Sequence, residues 1–228
     1  MDENYTEETV VQTEDTTELC EEVPQEEKKE KTSFLYDMYS LLHDLVYILA
    51  AITLIFVFCV RLVGVNGKSM FPTLEHGDYL ALQSNVIMGD LERGDIIVAR
   101  ELSFRGGEPI VKRVIATEGQ TVVIRYVDGF GVRVFVDDEM LDETYILEEM
   151  EARYFNDDND GNPNQFSLRV GEDCIFVMGD NRNNSSDSRD SSIGEIKLDQ
   201  VLGKVLMIVF PGENDAMERE YDRIGAVS

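Results

Sequence analysis

Basic side chains, cysteine and histidine are scarce in this 228-residue chain, and each shortage removes a class of function. Lysine and arginine number 20 against 46 aspartate and glutamate residues, for a formal net charge of −26. Binding nucleic acid through its phosphates needs a basic surface that displaces counterions, so that class is excluded. Three cysteines, Cys20, Cys59 and Cys174, are too few and too scattered for a disulfide framework or a zinc site. Cys59 lies in an apolar run and Cys174 opens another, so both read as small buried hydrophobes. The two histidines, His43 beside the longest apolar run and His76 in a polar turn, leave no obvious Ser-His-Asp set. No internal repeat is visible, and no metal or cofactor is expected.

One membrane-length apolar run is present. Every residue from Leu45 to Val60 is uncharged, and extension through Leu41 and Val65 reaches the roughly 20 residues that span a bilayer. A long acidic stretch precedes it and no small-residue cleavage site follows, which favours a retained anchor over a cleaved signal peptide. Residues 1–31 carry twelve acids against Lys28, Lys29 and Lys31, a composition that reads as a disordered, solvated tail. Those lysines against Arg61 and Lys68 give a slight positive-inside bias that places the tail in the cytoplasm. The expected division is therefore a tail over 1–40, a transmembrane helix over 41–63, an exterior domain over 64–212 and a polar C-terminal tail over 213–228.

After the anchor the apolar runs are short and strand-like: Tyr79 to Leu82, Ile96 to Arg100, Ile110 to Thr117, Thr121 to Val127, Phe130 to Val136, Cys174 to Met178 and Val201 to Val209. Asp128-Gly129 between two of them signals a hairpin. The exterior domain is expected to be mainly β. A polar stretch from Glu148 to Asn164 divides it, and within this stretch Asn156 to Gly161 resembles the start of a calcium loop. The twelfth position would be Ser167 instead of the bidentate glutamate such a loop needs, so an acidic surface turn is the better reading.

Three stretches carry chemistry. Ser69 lies in Asn66-Gly67-Lys68-Ser69-Met70-Phe71-Pro72, where Pro72 disfavours a continuing helix and Gly67 permits close backbone approach. Alone it is a nucleophile, a cap or a turn residue. Lys112 sits in the apolar middle of Ile110-Val111-Lys112-Arg113-Val114-Ile115, either facing solvent on an edge strand or buried. If buried, desolvation disfavours the ammonium and lets the amine accept a proton near neutral pH. Together they make a Ser-Lys pair economical. Pro72 occupies the position three residues after Ser69, which excludes the Ser-x-x-Lys arrangement. The third stretch, Met178 to Arg189, is either a flexible polar loop or a rigid hydrogen-bonded network.

Taken together, Gly67-Lys68-Ser69-Met70-Phe71-Pro72-Thr73-Leu74, Arg93-Gly94-Asp95-Ile96-Ile97-Val98, Val111-Lys112-Arg113-Val114-Ile115 and Gly179-Asp180-Asn181-Arg182 through Asp187-Ser188-Arg189 resemble, in order, the sequence boxes of bacterial type I signal peptidase, peptidase family S26. The resemblance implies a signal-peptidase-type β domain on one transmembrane helix. It also implies a membrane-bound endopeptidase that removes signal peptides from exported preproteins after small residues, with a single-pass topology and the domain outside the cytoplasm. Ser69 would be the nucleophile and Lys112 its general base. Ser185 matches the family's serine that hydrogen-bonds and orients the lysine. Arg113 with Asp180, and Asp187 with Arg189, would be supporting ion pairs, and Met70 and Val111 would shape the substrate pockets. The implied partners are signal peptides, the lipid bilayer and the secretion machinery.

Some positions depart from the family pattern. Gly67 stands where some members carry a serine that adds to the oxyanion hole; this resembles the Gram-positive branch, which often has Gly there and whose single anchor and small exterior domain also fit this chain. Ala116-Thr117-Glu118-Gly119 replaces a usual Gly-Leu-Pro-Gly, and Asp137-Asp138 replaces a usual Asn-Gly. Two rival readings are a self-cleaving Ser-Lys repressor and a catalytically silent membrane-anchored binding protein. The apolar run opposes the first, and the presence of Ser69, Lys112 and Ser185 together opposes the second.

Overall fold

The computed structural model describes residues 26–101, 104, 106–151, 165–214 and 217–227. Neither glycine nor proline interrupts the sequence from Glu26 to Phe58, and the whole stretch is one helix, α1. Within it Ser33–Ile55 is long and apolar enough to cross a membrane. The boundaries differ from those expected. Helix already occupies residues 26–40, because nothing in that charged stretch breaks it. At the other end Val60–Gly64, expected to complete the span, is strand β1, since its β-branched residues pair with a neighbour instead.

The chain from Ala50 onward forms a separate compact unit built on two antiparallel sheets. Its further strands are β2 (Tyr79–Ser84), β3 (Ile96–Arg100), β4 (Pro109–Thr117), β5 (Thr121–Val127), β6 (Gly131–Val136), β7 (Glu139–Met140), β8 (Gln165–Arg169), β9 (Cys174–Met178), β10 (Ile196–Lys197), β11 (Val201–Phe210) and β12 (Gly225–Ala226). The larger sheet has the order β1-β2-β11-β3-β4-β9-β10, with β12 beside β11; the smaller is β7-β6-β5-β8. The unit is thus mainly β, as expected.

Burial explains which strands alternate. In β3, Ile96 and Val98 enter one apolar cluster with Met70, Leu74, Leu80 and Leu82, while Ile97 and Ala99 enter another with Val114, Ile175 and Val177. A strand covered on both faces has no polar side to show, hence its unbroken Ile-Ile-Val-Ala run. β5 instead buries only Val122 and Ile124, in a third cluster with Val132, Val134, Phe166, Phe176 and Met178. Strand β4 reaches all three clusters: Val111 packs on the first, Ile110 and Val114 belong with the second, and Ile115 and Ala116 with the third.

The Asp137-Asp138 turn joins β6 to β7 with Val136 opposite Glu139, and both aspartates have positive φ, 50° and 68°. That is the two-residue type I′ geometry, which explains why Asn-Gly is the commoner filling. The Asp137 carboxylate accepts the Thr121 N–H at 2.8 Å and the Gln120 side chain at 3.0 Å, bonds that hold it below the usual carboxylate range. Two other expectations change. Residues after 213 do not simply trail off as a tail: β12 pairs with β11 through Met207–Ala226 and Ile208–Gly225. Cys59 and Cys174 are partly exposed, because Cys59 lies at the end of its apolar run and Cys174 at the start of its own. The calcium-like stretch Asn156 to Gly161, Cys20 and most of the acidic tail lie outside the described residues.

Candidate active site

Gly67, with φ of +107°, and the cis Phe71–Pro72 peptide shape the loop between β1 and β2 that carries Ser69. Strand β4 carries Lys112, which is 3% exposed and pairs across the sheet with Ile97. The two side chains meet: Lys112 Nζ lies 2.8 Å from Ser69 Oγ and donates to the Val111 carbonyl at 3.0 Å. They line a cleft of about 830 Å³ together with Met70, Val111 and Ser185. Met70 is 1% exposed and Val111 half-buried, so the wall beside the hydroxyl is apolar. Of the two readings of Lys112 open in the sequence, the buried one holds.

The loop after β9 is a rigid network. Asp180 receives Arg113 through both carboxylate oxygens, at 2.9 and 2.8 Å, and also accepts the Thr73 hydroxyl at 2.5 Å. The residue beside the lysine and the loop beside the serine are therefore held by one carboxylate, a strong charge-assisted arrangement. Asp187 receives Arg189 in the same two-pronged way, both bonds at 2.8 Å, and accepts the Gly179 N–H at 2.9 Å. Burial pushes the Asp187 carboxyl up, but the Arg189 charge and these hydrogen bonds more than offset it and hold it below its usual range.

Ser185 lines the cleft, and its buried hydroxyl lies on the Asp187 side of it, where it helps hold the Asp187 carboxyl low. The Lys112 amine in the same cleft faces Ser69 and the Val111 carbonyl.

Sequence reasoning missed several supporting residues. Asn181 donates its N–H to the Ser69 carbonyl at 3.0 Å and its side-chain amide to the Lys68 carbonyl at 3.1 Å, fastening the serine loop to the polar network. Tyr145 lies under the Arg113 guanidinium, 4.1 Å from ring centre, and accepts from Arg182 at 3.3 Å. Burial pushes its phenol up to about 12. Arg182, almost fully buried, pairs with Glu143 at 2.6 Å. Asn181 and Arg182 were visible inside a polar box. Glu143 and Tyr145 had no local signal, since they reach the site from the segment after the β6–β7 turn. His76 accepts the Gly67 N–H through Nδ1 at 3.2 Å, so it braces the turn before Ser69.

The model of the family described as signal peptidase, peptidase S26, matches residues 38–210. A probable signal peptidase I-1 of Synechocystis sp. is 36% identical over 157 residues, covering 64% of this chain and 69% of that protein. The signal peptidase I of Bacillus caldolyticus is 35% identical over 166 residues, 68% of this chain and 81% of its own. Signal peptidase I P of Bacillus subtilis subsp. natto is 30% identical over 192 residues, covering 81% and 94%. A crystal structure of a signal peptidase I from Enterococcus faecalis matches with a TM-score of 0.35 and 26% identity, over 51% of this chain and 97% of that one.

Proposed function

Since the chain belongs to the signal peptidase family, peptidase S26, and is a serine endopeptidase of signal-peptide processing, we propose that Ser69 and Lys112 form its catalytic dyad and that α1 anchors it in a membrane. The 2.8 Å approach of Nζ to Oγ carries this reading. Burial of the amine disfavours its ammonium form, so a neutral lysine can accept the Ser69 proton as Oγ attacks the scissile carbonyl. The tetrahedral oxyanion would be met by the Ser69 backbone N–H, Gly67 offering no side chain there. Collapse of the intermediate breaks the C–N bond, and the Lys112 ammonium returns its proton to the leaving amine. Water, deprotonated by the same amine, then hydrolyses the ester and frees Ser69.

In this scheme Arg113, Asp180, Asp187 and Arg189 hold the frame, and Met70 and Val111 line the pocket for small substrate side chains, which suits cleavage after Ala-x-Ala. Ser185 acts as a positioning residue. Its buried hydroxyl lines the same cleft as the Lys112 amine, which supports this role. The apolar side chains of α1 from Phe34 to Ile55 are exposed, which supports burial in lipid. The substrates would be signal peptides of exported preproteins, with the N-terminus in the cytoplasm and the β unit on the outer side, in reach of the secretion machinery.

The test is cleavage of a peptide ending in Ala-x-Ala across a pH series, beside Ser69→Ala and Lys112→Arg. Arginine keeps a charge it cannot shed, so Lys112→Arg should abolish cleavage, while wild-type kcat/KM rises with pH to a plateau. Wild-type activity in Lys112→Arg would rule the dyad out.

A further inference from the structure

The strongest unassigned cluster lies behind the serine loop, where Gly212 and Arg223, beyond the stretch matched by the family model, meet Asp78. Asp78, wholly buried, closes that loop. Its Oδ2 accepts the Glu75 N–H at 2.8 Å, and its backbone pairs with Val65, which in turn accepts the Gly77 N–H. Its carboxylate is met from the far end of the chain. Arg223, in a short 3-10 turn at Tyr221–Arg223, bonds Asp78 Oδ1 at 3.1 Å and Oδ2 at 2.8 Å. The same guanidinium lies 3.3 Å from a Glu75 oxygen and donates to the Thr73 carbonyl at 3.4 Å. Gly212 N–H adds a bond to Asp78 Oδ1 at 2.7 Å. A Cβ on Gly212 would stand 2.8 Å from the Gly77 carbonyl carbon, so the two backbones are in direct contact.

We propose that Arg223 is a positioning residue for Ser69, a clamp that closes the Thr73–Asp78 turn from behind and so fixes the nucleophile against Lys112. Thr73 links the two sides of this arrangement. Its hydroxyl is tied to Asp180, which holds Arg113 next to the base, and its carbonyl is tied to Arg223. The turn between them starts where the Leu74 N–H bonds the Met70 carbonyl, one residue from Ser69. Removing the guanidinium leaves a buried carboxylate short of its cation, and the turn must open to hydrate it. The C-terminal segment has other attachments. Besides the β12–β11 pairing, Arg219 donates to the Pro211 carbonyl at 2.9 Å, pairs with Glu213 and covers the Phe210 ring. Loss of Arg223 alone therefore loosens the turn without detaching the segment.

The inference rests on Ser69 as the nucleophile, and its test has two arms that separate its failure from the failure of that reading. The full chain in detergent micelles is compared with Arg223→Ala and Arg223→Lys. On the Ala-x-Ala peptide, kcat should fall in Arg223→Ala by up to the roughly 10²-fold that a 1 Å displacement costs, with KM unchanged. Arg223→Lys keeps a charge beside Asp78 but not the fork to Thr73, and should fall between the two. Millimolar guanidinium should restore part of the Arg223→Ala rate. Hydrogen exchange supplies the second arm: the Glu75, Gly77 and Asp78 amides should lose protection in Arg223→Ala while those of β3 keep theirs. This arm needs no activity, so a wild type that fails to cleave would count against the dyad alone. Where Arg223→Ala does not fold, Arg223→Lys is read in both arms. The clamp is refuted by unchanged exchange at Glu75–Asp78, or by an unchanged kcat in the folded variant of an active enzyme.

Discussion

Replacing Gly179 with alanine should separate catalysis from folding. Gly179 follows β9 at the point where the polar network meets the serine loop, and its N–H and carbonyl are engaged by Asp187 and Arg182. A methyl group there would collide with the Ser69 carbonyl and the Ser185 hydroxyl, and would stand 2.6 Å from Ser185 Cβ. Carbon atoms in contact settle at about 3.5–4.0 Å, so these neighbours must retreat by about 1 Å. Ser69 cannot move that far and stay in reach of an amine now 2.8 Å away, because hydrogen bonds fade beyond about 3.2 Å. The expected loss is on the order of 10²-fold in kcat, with a stability cost of about 1–3 kcal/mol from overpacking. Gly89→Ala is the control, since a Cβ there meets nothing within 4 Å and its φ is not positive. Initial rates on an Ala-x-Ala peptide, beside thermal melts of both variants, decide the matter. A folded Gly179→Ala that cleaves at the wild-type rate would refute the reasoning.

Three other outcomes are expected. Ser185→Ala should retain the fold and lose turnover, by up to about 10²- to 10⁴-fold if the hydroxyl orients the base; wild-type turnover would remove that role. Asp187, held below the unfolded carboxylate value of about 3.9, stabilises the native state above that pH and loses this contribution as pH falls through its lower folded value. Asp187→Asn should therefore melt earlier at neutral pH, since the buried Arg189 loses its carboxylate, and show a shallower loss of stability between about pH 5 and 2 than wild type; parallel curves would contradict this. Protease added to spheroplasts should cut after Arg61 and spare the N-terminal stretch, and the reverse pattern would overturn the proposed orientation.

The sequence disclosed what depends on local pattern. Ile96–Arg100, Thr121–Val127 and Cys174–Met178 appear at the boundaries that their β-branched and apolar runs mark. The strands that escaped notice are short or depend on a partner. Glu139–Met140 is created by the turn before it, Gly225–Ala226 by β11, and Val60–Gly64 looked like membrane because its residues are as apolar as the span they follow. At the site, Ser69 and Lys112 were legible because a serine between glycine and proline and a lysine inside an apolar strand are each unusual. Tyr145 and Arg223 were not, since a tyrosine in a loop or an arginine near the C-terminus acquires its part only when the fold brings it to Arg113 or Asp78.

The contact of β4 with all three apolar clusters bears on how the domain comes apart. Amides in such a strand exchange with solvent only when the whole unit opens, whereas a loop fastened by side-chain bonds can open by itself at lower free energy. The base would ride on the last element to melt and the nucleophile on one of the first. As denaturant is raised, turnover should then vanish while the sheet is still intact, and return on dilution without any refolding of the core.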